Sequence, residues 1–182
     1  SQPTAEPWQA KHDRAGVLLT EGDYAGALEN LKAAVPLAHS PTPELAQTLS
    51  ELGEAFDDEN DFANAAWCWK EALHLREKLH GPNSPEVASE LLTLAHVEAH
   101  LDQFESGLRH LERALQIRQA ANPPAPGGIA EVHLRIAYHY RDWQRPVEAR
   151  AHVRHATRAQ LAATGPLSEE TASFFDSLVF FF

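Results

Sequence analysis

Two short stretches carry the architecture of this chain. They are Leu49-Ser50-Glu51-Leu52-Gly53-Glu54-Ala55-Phe56 and, after a polar turn, Ala65-Ala66-Trp67-Cys68-Trp69-Lys70-Glu71-Ala72-Leu73. Leu49, Leu52, Gly53 and Phe56 stand at i, i+3, i+4 and i+7, one stripe of an amphipathic helix. Ala65, Trp69, Ala72 and Leu73 form a second such stripe. The pattern repeats. Leu91, Leu94 and Ala95, with Glu98 as a polar member, echo the first stripe, and Leu108, Leu111, Ala114 and Leu115 echo the second. Pro43-Glu44-Leu45-Ala46 returns as Pro85-Glu86-Val87-Ala88, as Gly127-Gly128-Ile129-Ala130 and as Glu169-Glu170-Thr171-Ala172, each 42 residues after the last. Between them lie Gly22-Asp23-Tyr24, Asn60-Asp61-Phe62 and Asp102-Gln103-Phe104, followed at a fixed distance by Ala27, Ala65 and Gly107. In the fourth copy Pro146 takes the aromatic slot and Ala149 the small one.

Alternating β-type runs are absent, and turn signals such as Gly81-Pro82, Gly127-Gly128 and Gly165-Pro166 separate the stripes. The spacing predicts helices near residues 8–20, 23–38, 43–58, 61–79, 84–100, 103–120, 128–143, 146–163 and 168–181. Ser84 and Ser168 stand where N-caps are wanted. The expected organisation is a flexible leader over 1–7, then four helix pairs over 8–167 (about 8–40, 43–80, 84–121 and 128–164). An apolar helix over 168–182 follows, in the register of a fifth repeat. Small residues at Gly53, Ala95, Ala65 and Gly107 allow close helix crossing. Phe56 and Trp69 fill the outer gaps. A lone hairpin leaves one face uncovered, so such units stack.

The 182 residues carry a formal charge of −11, which argues against nucleic-acid or anionic-membrane binding. The acidity is concentrated: residues 1–60 hold 3 basic and 11 acidic side chains, and residues 121–182 hold 6 of each. No apolar run reaches the roughly 18 residues of a membrane span. Cys68 is the single cysteine, which excludes an internal disulfide and an all-cysteine zinc site. Between two tryptophans it reads as a packed core residue. Ser1 to Pro7 have loop composition. If Ser1 is a mature N-terminus the protein is secreted or periplasmic, and otherwise cytoplasmic.

Leu49, Leu52, Gly53, Phe56, Ala65, Trp69 and Ala72 resemble the tetratricopeptide repeat family. That family usually repeats every 34 residues. The 42-residue period and the linker from Ala72 to Ala88, with Gly81-Pro82 and Pro85-Glu86-Val87-Ala88, are similar to the kinesin-light-chain subtype. The resemblance implies an all-α, right-handed superhelix of helix-turn-helix repeats and a non-enzymatic protein-interaction scaffold with no cofactor. It also implies a groove lined by first-helix residues. By register these are Gln9, His12, Gly16 and Leu19; then Gln47, Ser50, Glu54 and Asp57; then Ser89, Leu92, His96 and Ala99; then Glu131, Leu134, Tyr138 and Arg141. The expected partner is a peptide or helix with a basic end and an apolar middle. The lysine and asparagine clamp of chaperone-binding members is missing, since His12, Gly16 and Glu51 stand there.

Two other readings attach to particular residues. His96 and His100, four apart on one helix, are spaced like a metal pair, with Glu54 and Asp57 as further ligands if the neighbouring helix faces them. Glu98 lies between the pair but projects to another side. Phe174, Phe180, Phe181 and Phe182 exceed what one packed face needs, which suggests an oligomer or partner surface at the C-terminal helix. Arg150, Arg154 and Arg158 form an i, i+4, i+8 row, read as a solvated face or as a patch for an acidic partner or a second copy. No phosphate loop, nucleophile elbow or dinucleotide fingerprint is present.

Overall fold

A computed structural model describes residues 7–121, 126–166 and 168–169. The leader and the apolar C-terminal helix therefore fall outside the described residues, apart from Pro7, Ser168 and Glu169. Among the described residues eight α-helices follow one another without a strand. They are α1 (Pro7–Glu21), α2 (Tyr24–Ala34), α3 (Pro43–Asp58), α4 (Phe62–His80), α5 (Pro85–His100), α6 (Phe104–Ala120), α7 (Pro126–Asp142) and α8 (Pro146–Thr164). A short 3₁₀ turn, Val35–Leu37, extends α2. The fold class is all-α, made of helix-turn-helix repeats of the α-solenoid kind. The chain divides into two compact units, residues 1–90 and 91–182, the division falling within α5.

The hairpin turns share one chemistry. Gly22, Asn60, Asp102 and Gln144 all have positive φ, from 57° to 78°. The next residue's N–H reaches back five residues: Asp23 to Leu18 O (2.9 Å), Asp61 to Phe56 O, Gln103 to Glu98 O and Arg145 to Tyr140 O (each 2.8 Å). This left-handed closure satisfies carbonyls left over at the helix end. Glycine takes it freely and Asn or Asp at modest cost, whereas Gln144 carries more strain. In unit 1 the residue after the turn also caps the next helix: Asp23 accepts from Gly26 N–H (2.9 Å) and Asp61 from Asn64 N–H (3.2 Å). In unit 2 Gln103 and Arg145 offer no side-chain cap. Thr42 caps α3, and Ser84 accepts from Val87 N–H (3.3 Å) as its position in the sequence predicts.

In unit 1, α1 pairs with α2, α3 with α4, and α2 with α3. Leu45, Leu49 and Leu52 of α3 are fully buried, with Phe56 and Trp69 nearly so. A side-chain carbon at Gly53 would come within 2.9 Å of the Trp69 indole, so glycine is what lets α4 lie this close. Cys68 is fully buried, and desolvation pushes its thiol up to about 12. At neutral pH it is a protonated packing residue rather than a nucleophile.

In unit 2, α6 packs on α7 and α7 on α8. Gly107 plays the part of Gly53 here: added bulk would strike the His139 ring and approach the Ala95 carbonyl at 3.2 Å. Buried Glu98 of α5 turns toward α6, where it accepts from Ser106 Oγ (3.0 Å) and pairs with His110 Nδ1 (2.7 Å). Phe104, Trp143 and Tyr140 stack in series at 5.7 and 6.1 Å, with the Arg145 guanidinium 4.3 Å over Trp143.

Candidate partner-binding site

A hollow of about 350 Å³ in unit 2 lies among α5, α6 and α7. Leu92, Ala95, Ala99 and Leu111 supply its apolar lining. His96, His100, Arg135, Tyr138, His139, Arg141 and Asp142 supply the polar part. Five groove residues expected from the repeat register, Leu92, His96, Ala99, Tyr138 and Arg141, therefore meet in one pocket. His96 and Tyr138 stand one repeat, 42 residues, apart, which is why equal register positions converge.

The pocket's polar groups are held in place. The Arg141 guanidinium donates to Asp142 Oδ1 through Nε (2.9 Å) and Nη2 (2.7 Å) and lies 4.9 Å over the Tyr138 ring. His139 Nε2–H donates to the Phe104 carbonyl (2.7 Å), which fixes the ring against α6. The His96 and His100 rings meet edge to face at 4.7 Å. Among the described residues no three His, Cys, Asp or Glu side chains are grouped so as to hold a metal ion. Among the described residues the pair thus has no third protein ligand of the kind the metal reading needs, and Glu98 between them pairs with Ser106 and His110 of α6.

Other expected groove residues stand elsewhere. Ser50, expected at the groove surface, is only 5% exposed. Its hydroxyl donates to the Ala46 carbonyl (3.1 Å) or Glu90 Oε1 (3.3 Å) and receives Arg76 (3.1 Å). Arg76 in turn pairs with Glu90, whose carboxyl burial pushes up against the pull of that arginine. Ser50 belongs to this buried polar cluster because Glu90 and Arg76 both reach its hydroxyl. Leu134 packs against Ala137 and Val153 between α7 and α8. Gln47, Glu54, Ser89 and Glu131 are exposed, and Asp57 is half-buried. Gln47 donates to Glu51 (3.0 Å). Arg135, His139 and Asp142 were not singled out from the sequence. Arg135, Tyr138 and Asp142 do stand at i, i+3 and i+7, a face that was legible. Phe174, Phe180, Phe181 and Phe182 lie outside the described residues.

A second cluster joins α7 to α8. His133 Nδ1 lies 3.1 Å from His152 Nδ1, and the His155 ring stacks on His133 at 5.1 Å. Burial, then the neighbouring His152 and His155, pull His133 down to about 4, and burial lowers His152 as well. The unfolded chain takes up these protons near pH 6.5, before the folded one does. The stabilisation is therefore complete above about pH 6.5 and is lost as pH falls toward 4. Half-burial limits the loss to on the order of 1 kcal/mol. Urea midpoints at pH 7.5 and 5.0 should show this decline, and His133→Gln should flatten it. An equal decline in the variant would rule the cluster out as its source.

Residues 45–86 match the tetratricopeptide repeat family. No curated protein matches the sequence. Among solved structures, BtubC (BKLC) from P. vanneervenii is 21% identical over 89% of this chain, with a TM-score of 0.65. The chain spans 66% of that protein, just under two thirds. A putative kinesin light chain of nearly identical TPR-like repeats from Podosopora anserina is 16% identical, with 98% of this chain and 87% of that one covered and a TM-score of 0.68. MamA is 17% identical over 98% of this chain and 89% of its own, with a TM-score of 0.57. At such identities the likeness is one of fold. Residues 45–86 thus match a tetratricopeptide repeat, and the chain as a whole has the fold of the long-repeat, kinesin-light-chain-like structures.

Proposed function

We propose that the chain docks an extended segment of a partner protein in the α5–α7 pocket. Proteins of this repeat family are in general non-enzymatic interaction scaffolds, and that is the class of work assigned here. The observation that carries the reading is the pocket itself, an apolar lining under a polar rim with space for one large side chain. Its fixed charges are two arginines against one aspartate. The fitting segment is thus an apolar residue beside a carboxylate. This differs from the basic segment expected from Glu54 and Asp57, because those residues belong to unit 1 and the pocket lies wholly in unit 2.

A displayed random-peptide library tests the proposal. Enriched peptides should pair a large apolar residue with Asp or Glu. They should bind at least tenfold more weakly, about 1.4 kcal/mol, to an Arg135→Glu, Tyr138→Ala variant, and equally well to Glu54→Arg. Equal binding to the pocket variant would remove the pocket from consideration.

A further inference from the structure

Helix α3 presents one outward stripe, Glu44, Gln47, Glu51, Glu54 and Asp58, directly opposite the face it buries. All five are exposed, four are carboxylates, and none is a base. Helix α8 presents the reverse. Arg150, Arg154 and Arg158 lie along a single exposed stripe, turned away from the one that buries Ala149, Val153 and Ala156, with exposed Val147 and Leu161 at its ends. Among the described residues neither the four carboxylates of α3 nor the three guanidinium groups of α8 form an ion pair.

Each stripe is costly alone. Like charges three or four residues apart on a helix repel, and among the described residues no opposite charge pairs with either row, although the Gln47 amide donates to Glu51. The two rows match in length. Arg150 to Arg158 spans about 12 Å and Glu51 to Asp58 about 10 Å at 1.5 Å per residue, so three guanidinium groups meet three carboxylates. We infer that α8 of one molecule docks against α3 of a second copy of this chain, charge stripe against charge stripe. The contact is heterologous. It leaves one free stripe on each partner, so association continues head to tail or closes into a ring. Salt at 0.1 M screens the general repulsion of two acidic molecules beyond about 10 Å, whereas touching side chains feel one another inside that range.

Sedimentation velocity of the full chain from 10 to 200 µM tests this. In 100 mM NaCl the weight-average mass should rise with concentration, and in 500 mM NaCl association should weaken at least tenfold. Arg150→Glu, Arg154→Glu, Arg158→Glu should be monomeric, as should Glu51→Arg, Glu54→Arg, Asp58→Arg. Circular dichroism checks that these surface changes leave the helices intact. Mixed, the two variants should associate with each other in alternation and continue as the wild type does, since each acidic stripe of one then meets a basic stripe of the other. The chain carrying all six changes should associate again. A wild type that stays monomeric at 200 µM overturns the inference. So does association that survives in both reversed variants, which would place the contact elsewhere, for instance in residues 174–182. Failure of the mixture and of the six-change chain to recover would overturn it too. The Arg135→Glu, Tyr138→Ala variant should associate as wild type does, which separates this contact from peptide docking.

Discussion

Trp69→Ala is expected to destabilise unit 1 by about 3–5 kcal/mol, the usual range for truncating a buried aromatic. The indole is 4% exposed and fills the space that Gly53 leaves open. Gly53→Ala on its own should cost about 1–3 kcal/mol through overpacking, offset by about 1 kcal/mol of better helix propensity. In a Trp69→Ala background the same Gly53→Ala change has room for its methyl group and should become neutral or stabilising. The two positions are thus strongly coupled, and a double-mutant cycle measures the coupling directly. Trp69→Phe should be far milder. It keeps most of the ring and removes an indole N–H that has no hydrogen-bond partner among the described residues. Urea unfolding followed by circular dichroism reports all four variants. A loss below about 1 kcal/mol for Trp69→Ala would mean that the helices close up over the gap.

His110→Ala should be nearly as damaging, at about 2–4 kcal/mol. Glu98 is 1% exposed, and His110 supplies the partner of its Oε2 at 2.7 Å while Ser106 serves Oε1. Removing the imidazole takes away one donor of a buried carboxylate, and each donor lost raises the cost of keeping that group out of water. Glu98→Gln alone should cost less, since an amide is cheaper to bury. Combined with His110→Ala it should recover part of the loss, giving a double variant more stable than the sum of its parts predicts. Strict additivity would show that Glu98 and His110 do not act as a pair.

Glu98 also shows where reading the sequence stops. Its place in the stripe Leu91, Leu94, Ala95, Glu98 marked it as a polar residue on a buried face, and it is buried. That it would be partnered by His110, twelve residues on and on the next helix, was not legible. The partner depends on how far α6 rotates about its own axis and on one rotamer of each side chain. Ser50 teaches the same lesson from the other side. Its register position belongs to the groove, but Arg76 and Glu90 draw it into a buried cluster. His133 lay unmarked beside His152 and His155, because nothing in helical period announces that α7 turns it toward α8.

Local rules written along the chain were enough for the eight described helices, the Ser84 cap and the close approach at Gly53. Each depends on a residue's own backbone preference or on neighbours within a turn or two, so the order of side chains determines it. The 42-residue period likewise brought Leu92, His96, Ala99, Tyr138 and Arg141 into one pocket, since equal positions in successive repeats occupy equivalent places. The tertiary structure alone decided that Arg135, His139 and Asp142 complete that pocket. It alone decided that Ser50 and Glu98 are sealed by partners, and that the α3 and α8 charge rows stay without ion pairs among the described residues. Those outcomes turn on distances between helices, set by packing of whole faces to within an ångström or so, and no periodicity in the sequence encodes such a distance.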